Sequence, residues 1–162
     1  MPERPERRAQ PGASERSHWL REAIALAGRC PPSATAFAVG AVIVGVDGQP
    51  LATGYSREAD PKEHAEEAAL RKLPPADPRL RTATLYSSLE PCGERASRPT
   101  TCAELIIAAG IPQVVYAWRE PPLFVERAGA ARLTAAGVHV VEHPELAAPA
   151  REINRALLDG RG

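Results

Sequence analysis

The chain has 162 residues, of which 44% are hydrophobic, and this is enough for one domain with a core of its own. Its 20 basic and 20 acidic residues cancel, so the composition lacks the basic excess typical of a dedicated nucleic-acid binder, and no apolar run approaches the roughly 18 residues of a membrane helix. The charged start carries no signal-like segment, and three cysteines predict a reducing, cytoplasmic setting in which thiols serve as ligands.

A polar tail and one helix begin the chain. Residues 1–14 are rich in Pro, Arg and Glu and predict a disordered tail, whereas residues 15–160 predict a single domain. Ser14 or Ser17 is expected to cap the first helix, which ends before Cys30 and the two prolines after it. Because the position of Cys30 fits no ligand cluster, we expect it to be a small buried hydrophobe.

Two strands joined by a tight turn come next. Residues 38–44 form an apolar strand, Asp47 and Gly48 favour a hairpin turn, and residues 51–55 form the return strand. Phe37 precedes the first strand. Its ring either lines a pocket or packs in the core, and the pattern alone leaves both interpretations open.

The remainder of the chain alternates between helical and strand patterns. The expected helices cover residues 62–73, 102–109, 124–136 and 145–158, and the expected strands cover residues 83–89, 114–118 and 138–141. A loop is expected over 74–81. Thr100 or Thr101 is expected to cap the helix over 102–109, and Gly110 to end it. The last strand–helix–strand unit implies a parallel pair with a right-handed crossover. The prediction is a mixed α/β sheet of five strands with helices on both faces.

One histidine and two cysteines stand out near the middle of the chain. His64, Cys92 and Cys102 can supply three ligands to zinc and leave a fourth position for water, as in catalytic zinc sites. Glu66 follows the histidine by two residues, so it can reach that water without binding the metal. The pattern is similar to the H-x-E…P-C-x-x-C signature of zinc deaminases, with its second half lengthened.

The predicted elements bring these residues together. His64 and Glu66 open a helix, Cys92 follows the carboxyl end of a strand, and Cys102 begins a helix whose N-terminal amides favour a thiolate. Taken singly, each residue has an ordinary explanation, such as a capping or core histidine or an exposed acid. The combination favours a catalytic zinc site over a structural one, since a structural site needs a fourth Cys or His nearby.

The motifs resemble those of the cytidine-deaminase-like superfamily, and most closely the deaminase domain of bifunctional riboflavin-biosynthesis deaminase-reductases, from about Trp19 to Leu158. They are residues 39–44, Gly54-Tyr55, His64-Ala65-Glu66, Ser88-Leu89-Glu90-Pro91-Cys92, residues 102–110 and Asn154. The resemblance implies a three-layer α/β/α fold. It also implies zinc on the three ligands named above, with Glu66 as proton shuttle, and we expect a homodimer.

Three features depart from the riboflavin enzymes. Those enzymes carry an Asn-Pro-x-Val-Gly run whose Asn helps to hold the substrate, whereas residues 35–40 are Thr-Ala-Phe-Ala-Val-Gly here. Their loop between the cysteines is His-rich, with a Pro-Pro pair, whereas residues 93–101 contain Arg95 and Arg98. No reductase domain is expected to follow.

We expect the substrate to contact Phe37, Ala65, Arg95 and Arg98. The arginines would hold a phosphate or carboxylate, with solvated surface side chains as the alternative. The expected reaction is hydrolytic deamination of the diaminopyrimidine ribosylamino phosphate of riboflavin biosynthesis, with release of ammonia. The alternative substrates are a cytosine, cytidine, guanine or specialised-metabolite aminopyrimidine, because Phe37 offers stacking in place of ribose hydrogen bonds. The neutral net charge disfavours an editing deaminase that acts on RNA or DNA. The intact set of His64, Glu66, Cys92 and Cys102 disfavours a catalytically silent zinc-binding module.

Overall fold

The computed structural model describes residues 10–93, 100–119 and 129–159. The strands are β1 (Gly40–Val44), β2 (Pro50–Tyr55), β3 (Thr84–Leu89), β4 (Gln113–Trp118) and β5 (His139–Glu142). The helices are α1 (Ala13–Ala27), α2 (Ala65–Arg71), α3 (Cys102–Ala109), α4 (Gly129–Ala135), α5 (Ala147–Ile153) and α6 (Arg155–Asp159), with short 3-10 turns at Pro78–Thr82 and Pro144–Leu146. No helix in the described ranges has the length and apolar content needed to cross a bilayer.

The five strands form one mixed sheet in the order β2-β1-β3-β4-β5. β1 runs antiparallel to both β2 and β3, whereas β3, β4 and β5 are parallel to one another. The amino end of β1 and the carboxyl ends of β3 and β4 therefore meet at one edge of the sheet. The prediction of a mixed five-stranded sheet is confirmed, and so is the parallel pairing of the last two strands.

Helices cover both faces of this sheet, and the side chains of the central strands β1, β3 and β4 are buried on alternate faces. Helices α1 and α5 pack on one face, where Val42, Tyr86 and Val115 are buried; α2 and α3 lie on the other, with Ile43 and Leu85. Complete burial of a side chain of this size is worth about 1.5–3 kcal/mol. The two apolar layers thus hold the three-layer α/β/α arrangement together.

Two glycines let helices sit directly on strand backbone. A Cβ built on Gly40 would lie 1.8 Å from the carbonyl oxygen of Ala23 in α1. One built on Gly54 would lie 2.4 Å from the carbonyl oxygen of Ala65 in α2. Since real Cβ atoms do not approach this closely, any larger residue at either position must push a helix and a strand apart.

Two predicted element boundaries are corrected. The first helix begins at Ala13 with Gly12 at its N-cap, so neither Ser14 nor Ser17 caps it. The expected loop over 74–81 contains a 3-10 turn, because the Asp77 carboxylate accepts a hydrogen bond from the backbone N–H of Arg79 at 3.0 Å. The part of the predicted helix over 124–136 that precedes α4 lies outside the described residues.

Two further predictions also need correction. The expected single closing helix is divided into a 3-10 turn, α5 and α6, with Asn154 between the two α-helices. Cys30 is half-buried instead of fully buried, and its thiol donates to the carbonyl oxygen of Val39 at 3.5 Å. Burial raises the pKa of this thiol, against the opposing effects of the Val39 hydrogen bond and the positive charge of Arg57.

Candidate metal centre and active site

His64 is held at the N-terminus of α2. It occupies the N-cap position with extended backbone, and its N–H donates to the Glu67 carboxylate at 3.0 Å. The preceding residue, Glu63, is buried and pairs with Arg71 at 2.9 Å, which ties the loop before His64 to the helix after it. The imidazole therefore projects from a fixed helix start, as the sequence pattern predicted.

Cys92 and Cys102 are brought together by the N-terminus of α3. Thr101 caps this helix by accepting from the N–H of Glu104 at 3.1 Å, and Cys102 is its first residue, as predicted. The N–H of Cys102 donates to Cys92 Sγ at 3.3 Å, and the N–H of Ala103 donates to the Cys92 carbonyl at 3.1 Å. Two helix-end amides thus fix Cys92 three residues beyond the end of β3.

The three ligand atoms lie close enough together to share one metal ion. His64 Nδ1 lies 3.2 Å from Cys102 Sγ and 3.6 Å from Cys92 Sγ, and all three atoms lie within 4.8 Å of one another. Ligand atoms on a tetrahedral zinc ion with Zn–S of about 2.3 Å and Zn–N of about 2.0 Å lie about 3.5–3.8 Å apart, so shifts of a few tenths of an ångström to about 1 Å bring the three atoms onto one ion. One imidazole and two thiols therefore fit the metal by chemistry and by proximity.

The surroundings of Cys92 favour its thiolate. Hydrogen bonding to Cys102 and, more weakly, to His64 lowers the pKa of the Cys92 thiol to about 4, against the opposing effect of burial. Metal ligation requires the deprotonated form of cysteine. Cys92 is thus prepared to bind a cation near neutral pH.

Glu66 is buried beside this cluster without belonging to it. Its side chain is on α2, the residue is 3% exposed, and Oε1 lies 3.0 Å from the Ser87 hydroxyl. Burial raises the pKa of the carboxyl group, His64 opposes the rise, and the negative charge of Cys92 adds to it. A carboxyl group so placed is suited to take up and return a proton.

Ser87 is a contact of the site that the sequence analysis did not identify. Its Oγ lies 2.7 Å from the carbonyl oxygen of Leu89 as well as 3.0 Å from Glu66. A hydroxyl group has one proton, so when Ser87 donates to the carbonyl, the Glu66 carboxyl group must supply the proton between them. Ser87 lies on the α2-facing side of β3, but the strand also carries Thr84 and Ser88, so the strand pattern is only a weak signal.

The segment that leads into β1, residues 37–40, is fixed by side chains from distant parts of the chain. Asn154 brackets Ala38: its Oδ1 accepts from the N–H at 2.7 Å and its Nδ2 donates to the carbonyl at 3.0 Å. Arg57 donates to the Phe37 carbonyl at 3.2 Å, and the Ser56 hydroxyl accepts from the N–H of Val39 at 3.0 Å. The backbone of residues 37–39 therefore has hydrogen-bond partners although these residues precede the strand.

Phe37 packs rather than projecting freely. The residue is 8% exposed, and its ring meets Trp118 edge to face with centroids 5.5 Å apart. Trp118 ends β4, and its carbonyl accepts from the N–H of Glu90, two residues before Cys92. The aromatic pair thus lies at the same end of the sheet as the ligands. Phe37 therefore packs in the core and also lies near the site, so the two interpretations of this residue are compatible.

The other predicted site residues differ in their outcomes. Ala65 is fully buried at the start of α2, next to His64. Arg95 and Arg98 lie outside the described residues. Within the described ranges, the three predicted ligands form the one group of His, Cys, Asp and Glu side chains that could hold a metal ion.

The match to a family model agrees with this geometry. Residues 13–118 match the model of the cytidine and deoxycytidylate deaminase zinc-binding region. Since this span exceeds half of the chain, the protein belongs to that family, and the predicted superfamily and its zinc cofactor are confirmed.

The relatives are riboflavin-pathway proteins. The chain is 40% identical over 126 residues to the diaminohydroxyphosphoribosylamino-pyrimidine deaminase of Schizosaccharomyces pombe, covering 76% of this chain and 31% of that protein. RibD of Acinetobacter baumannii is 32% identical with a TM-score of 0.76, covering 91% of this chain and 40% of that one. Aspergillus oryzae Rib2 deaminase, a C-terminal deletion mutant in complex with DARIPP, is 28% identical with a TM-score of 0.67, covering 90% and 99%. The chain thus spans about a third of the length of the curated relatives it matches first.

Proposed function

We propose that this chain catalyses the hydrolytic deamination of the diaminopyrimidine ribosylamino phosphate of riboflavin biosynthesis. The amino group of the ring amidine leaves as ammonia, and the oxygen of water takes its place on the same carbon. The observation that carries the proposal is the buried Glu66 carboxyl group beside the His64, Cys92 and Cys102 cluster. The riboflavin-pathway relatives support the choice of substrate.

Each residue of the cluster has a role in this proposal. His64, Cys92 and Cys102 hold zinc, which when bound supplies the Lewis-acid chemistry that makes water a nucleophile near neutral pH. Glu66 Oε1 accepts one proton of the attacking water and passes it to the ring nitrogen. It then takes the second proton from the hydroxyl group added to the ring carbon and delivers it to the departing amine. Ser87 holds Oε1 in place. Its hydroxyl group can donate to the ionised carboxylate of Glu66 or accept from the protonated carboxyl group, so the hydrogen bond persists in both protonation states of Glu66.

The substrate is placed by the walls around the cluster. Phe37, backed by Trp118, gives an apolar surface on which a pyrimidine ring can pack. In the sequence Ala65 lies between a metal ligand and the proton shuttle, and we assign it a contact with the substrate. Arg95 and Arg98 belong to the loop between the two cysteines, where guanidinium groups suit the phosphate of the substrate. We further place the protein in the cytoplasm as a homodimer.

One observation favours a second substrate class. Phe37 is held as a packed aromatic residue in the run where the riboflavin enzymes carry an Asn-Pro pair, and no Asn is present in this run to hydrogen-bond the substrate. A site with this wall accepts a free aminopyrimidine base or a nucleoside with less penalty, because no ribose-binding amide is left unpaired. The chemistry is the same in both proposals.

The test is ammonia release by zinc-loaded protein given the riboflavin-pathway diaminopyrimidine phosphate, with free cytosine and cytidine in parallel. Glu66→Gln keeps a hydrogen-bonding partner for Ser87 but cannot carry the proton, so turnover should fall by about 100- to 10,000-fold while zinc stays bound. Glu152→Gln, on the surface of α5, is the matched control and should match the wild type. Full activity in Glu66→Gln would refute the assignment of the proton shuttle.

A further inference from the structure

Glu90 is a buried carboxylate next to the metal cluster that the proposed reaction does not use. The residue is 7% exposed and lies between β3 and Cys92 in the chain. Its Oε2 accepts from the N–H of Ala130 in α4 at 3.1 Å, and its own N–H donates to the carbonyl of Trp118 at 2.8 Å. A carboxyl group is costly to bury without hydrogen-bond partners. The Glu90 residue has such partners on both sides, and it joins the chain just after β3 to the first turn of α4.

Gly129 brings α4 onto the same stretch of chain. A Cβ built on it would lie 1.6 Å from the carbonyl oxygen of Pro91, 2.8 Å from the carbonyl carbon of Pro91 and 3.3 Å from that of Cys92. Backbone therefore lies directly against backbone at the ligand residue. Only glycine permits this approach, since any side chain would have to occupy the space of the Pro91 peptide.

The other side of Cys92 is held by α3. The amides of Cys102 and Ala103 bond its Sγ and its carbonyl, as described above. The two helices are linked in turn by Arg132 of α4 and Glu104 of α3, whose charged groups are 3.0 Å apart. Residues 90–92 thus lie between the first turns of two helices, one of which carries the second thiol ligand.

We propose that Glu90 and Gly129 are positioning residues that set the place of the Cys92 thiolate by anchoring α4 against residues 90–92. The inference builds on the proposed zinc role of Cys92. Cys92 follows β3 by three residues, so the sheet alone does not fix its side chain. A zinc–sulfur distance has to be held to within about 0.2 Å, and a ligand on a free loop end would not meet that tolerance.

The measurement that separates positioning from ordinary stabilisation is the rate of zinc release. Zinc-loaded protein is mixed with an excess of a chromophoric chelator, and the absorbance of the zinc–chelator complex is followed at a temperature where circular dichroism shows every variant folded. Outer partners of metal ligands change affinity by about 10- to 100-fold. Because Glu90 acts through backbone, we expect the lower end, about tenfold faster release, in Glu90→Ala.

Three variants make the comparison sharp. Glu90→Gln keeps an acceptor for the N–H of Ala130 and should release zinc close to the wild-type rate. Gly129→Ala must open the contact from 1.6 Å to the 3.4 Å of ordinary packing, so it should release zinc at least as fast as Glu90→Ala. Asp77→Ala is the matched control. It removes another buried carboxylate that caps a helical turn, away from the cluster, so it should lower stability without speeding release.

The outcomes separate this inference from the proposed function. If Glu90→Ala and Asp77→Ala both release zinc at the wild-type rate, Glu90 only caps α4 and the positioning role is refuted. If Gly129→Ala does not fold, the comparison between Glu90→Ala and Glu90→Gln still decides the matter. If wild-type protein itself holds no zinc, the proposed function fails first, and that result is read from metal stoichiometry before any variant is compared.

Discussion

Gly54→Ala should disturb the metal centre from the opposite side of α2. Gly54 lies in β2, and a Cβ there would lie 2.4 Å from the carbonyl oxygen of Ala65, 2.5 Å from the backbone nitrogen of Ala69 and 2.8 Å from the Cβ of Ala68. Ordinary contact begins at 3.4 Å, so strand and helix must separate by about 1 Å. Overpacking of this kind costs about 1–3 kcal/mol of unfolding free energy.

The consequence for the site follows from where α2 begins. His64 caps this helix and Glu66 is in its first turn, so a helix that moves takes a ligand and the proton shuttle with it. β2 is an edge strand and can take up part of the separation. Even half of it moves both groups by about 0.5 Å, the limit within which a functional constellation has to be held. A displacement of 1 Å can cost about 100-fold in rate.

Stability and function are measured on the same variant. Thermal and urea unfolding give the change in stability. Chelator competition gives the rate of zinc release, which we expect to be about tenfold faster, and ammonia release gives the turnover, which we expect to be about 10- to 100-fold slower. Val114→Ala is the control: it removes two buried methyl groups, worth about 1–2 kcal/mol, from β4, a strand that carries neither a ligand nor the proton shuttle. If Gly54→Ala loses stability like the control but keeps full turnover and zinc retention, the position of α2 does not govern the site.

Two further predictions concern the segment before β1 and the third cysteine. Asn154→Ala leaves both backbone groups of Ala38 without their side-chain partner, so the free energy of unfolding should fall by about 1–3 kcal/mol. Because Phe37, the next residue, is then held less firmly, KM should rise by a larger factor than kcat falls. An unchanged KM would contradict the link between Asn154 and Phe37. Because burial raises the pKa of Cys30, its thiol stays protonated to higher pH. In zinc-loaded protein, the rate of Cys30 alkylation by iodoacetamide should therefore reach half of its maximum at a pH above roughly 8.5, the pKa of free cysteine. Peptide mass spectrometry over a pH series would read this out, and a midpoint at or below that of free cysteine would be contrary evidence.

Elements with strong local signals were predictable from the sequence. The Asp47-Gly48 turn places Gly48 at φ 82°, and α3 begins at the Thr101 cap and ends at Gly110, with φ 80°. These residues act through contacts within four positions of the chain, which is the range that a sequence pattern records. The metal cluster joins residues 28 and 38 positions apart, and it was predictable for a different reason, namely that its residues match a known zinc-deaminase signature.

Elements that depend on distant contacts were not predictable. The closing helix has a continuous helical pattern, yet it is divided at Asn154, whose side chain bonds the backbone of Ala38, 116 residues away. Glu90 and Gly129 have no local signature, because their partners Ala130 and Pro91 lie 38 to 40 residues away, and Ser87 has only a weak one, because Glu66 lies 21 residues away. Phe37 stayed ambiguous for the same reason, since the ring of Trp118 against which it packs is distant in the chain.

The separate supports of the ligands and of residues 37–40 have an evolutionary consequence. The ligands are held by the starts of α2 and α3, whereas the aromatic wall is held by Arg57, Ser56 and Asn154, none of which contacts a ligand in the described hydrogen bonds. Mutations in the last helices can therefore reshape what enters the site while the metal and the proton shuttle stay in place. A lineage built on this scaffold can change its substrate in small steps without passing through an inactive ancestor.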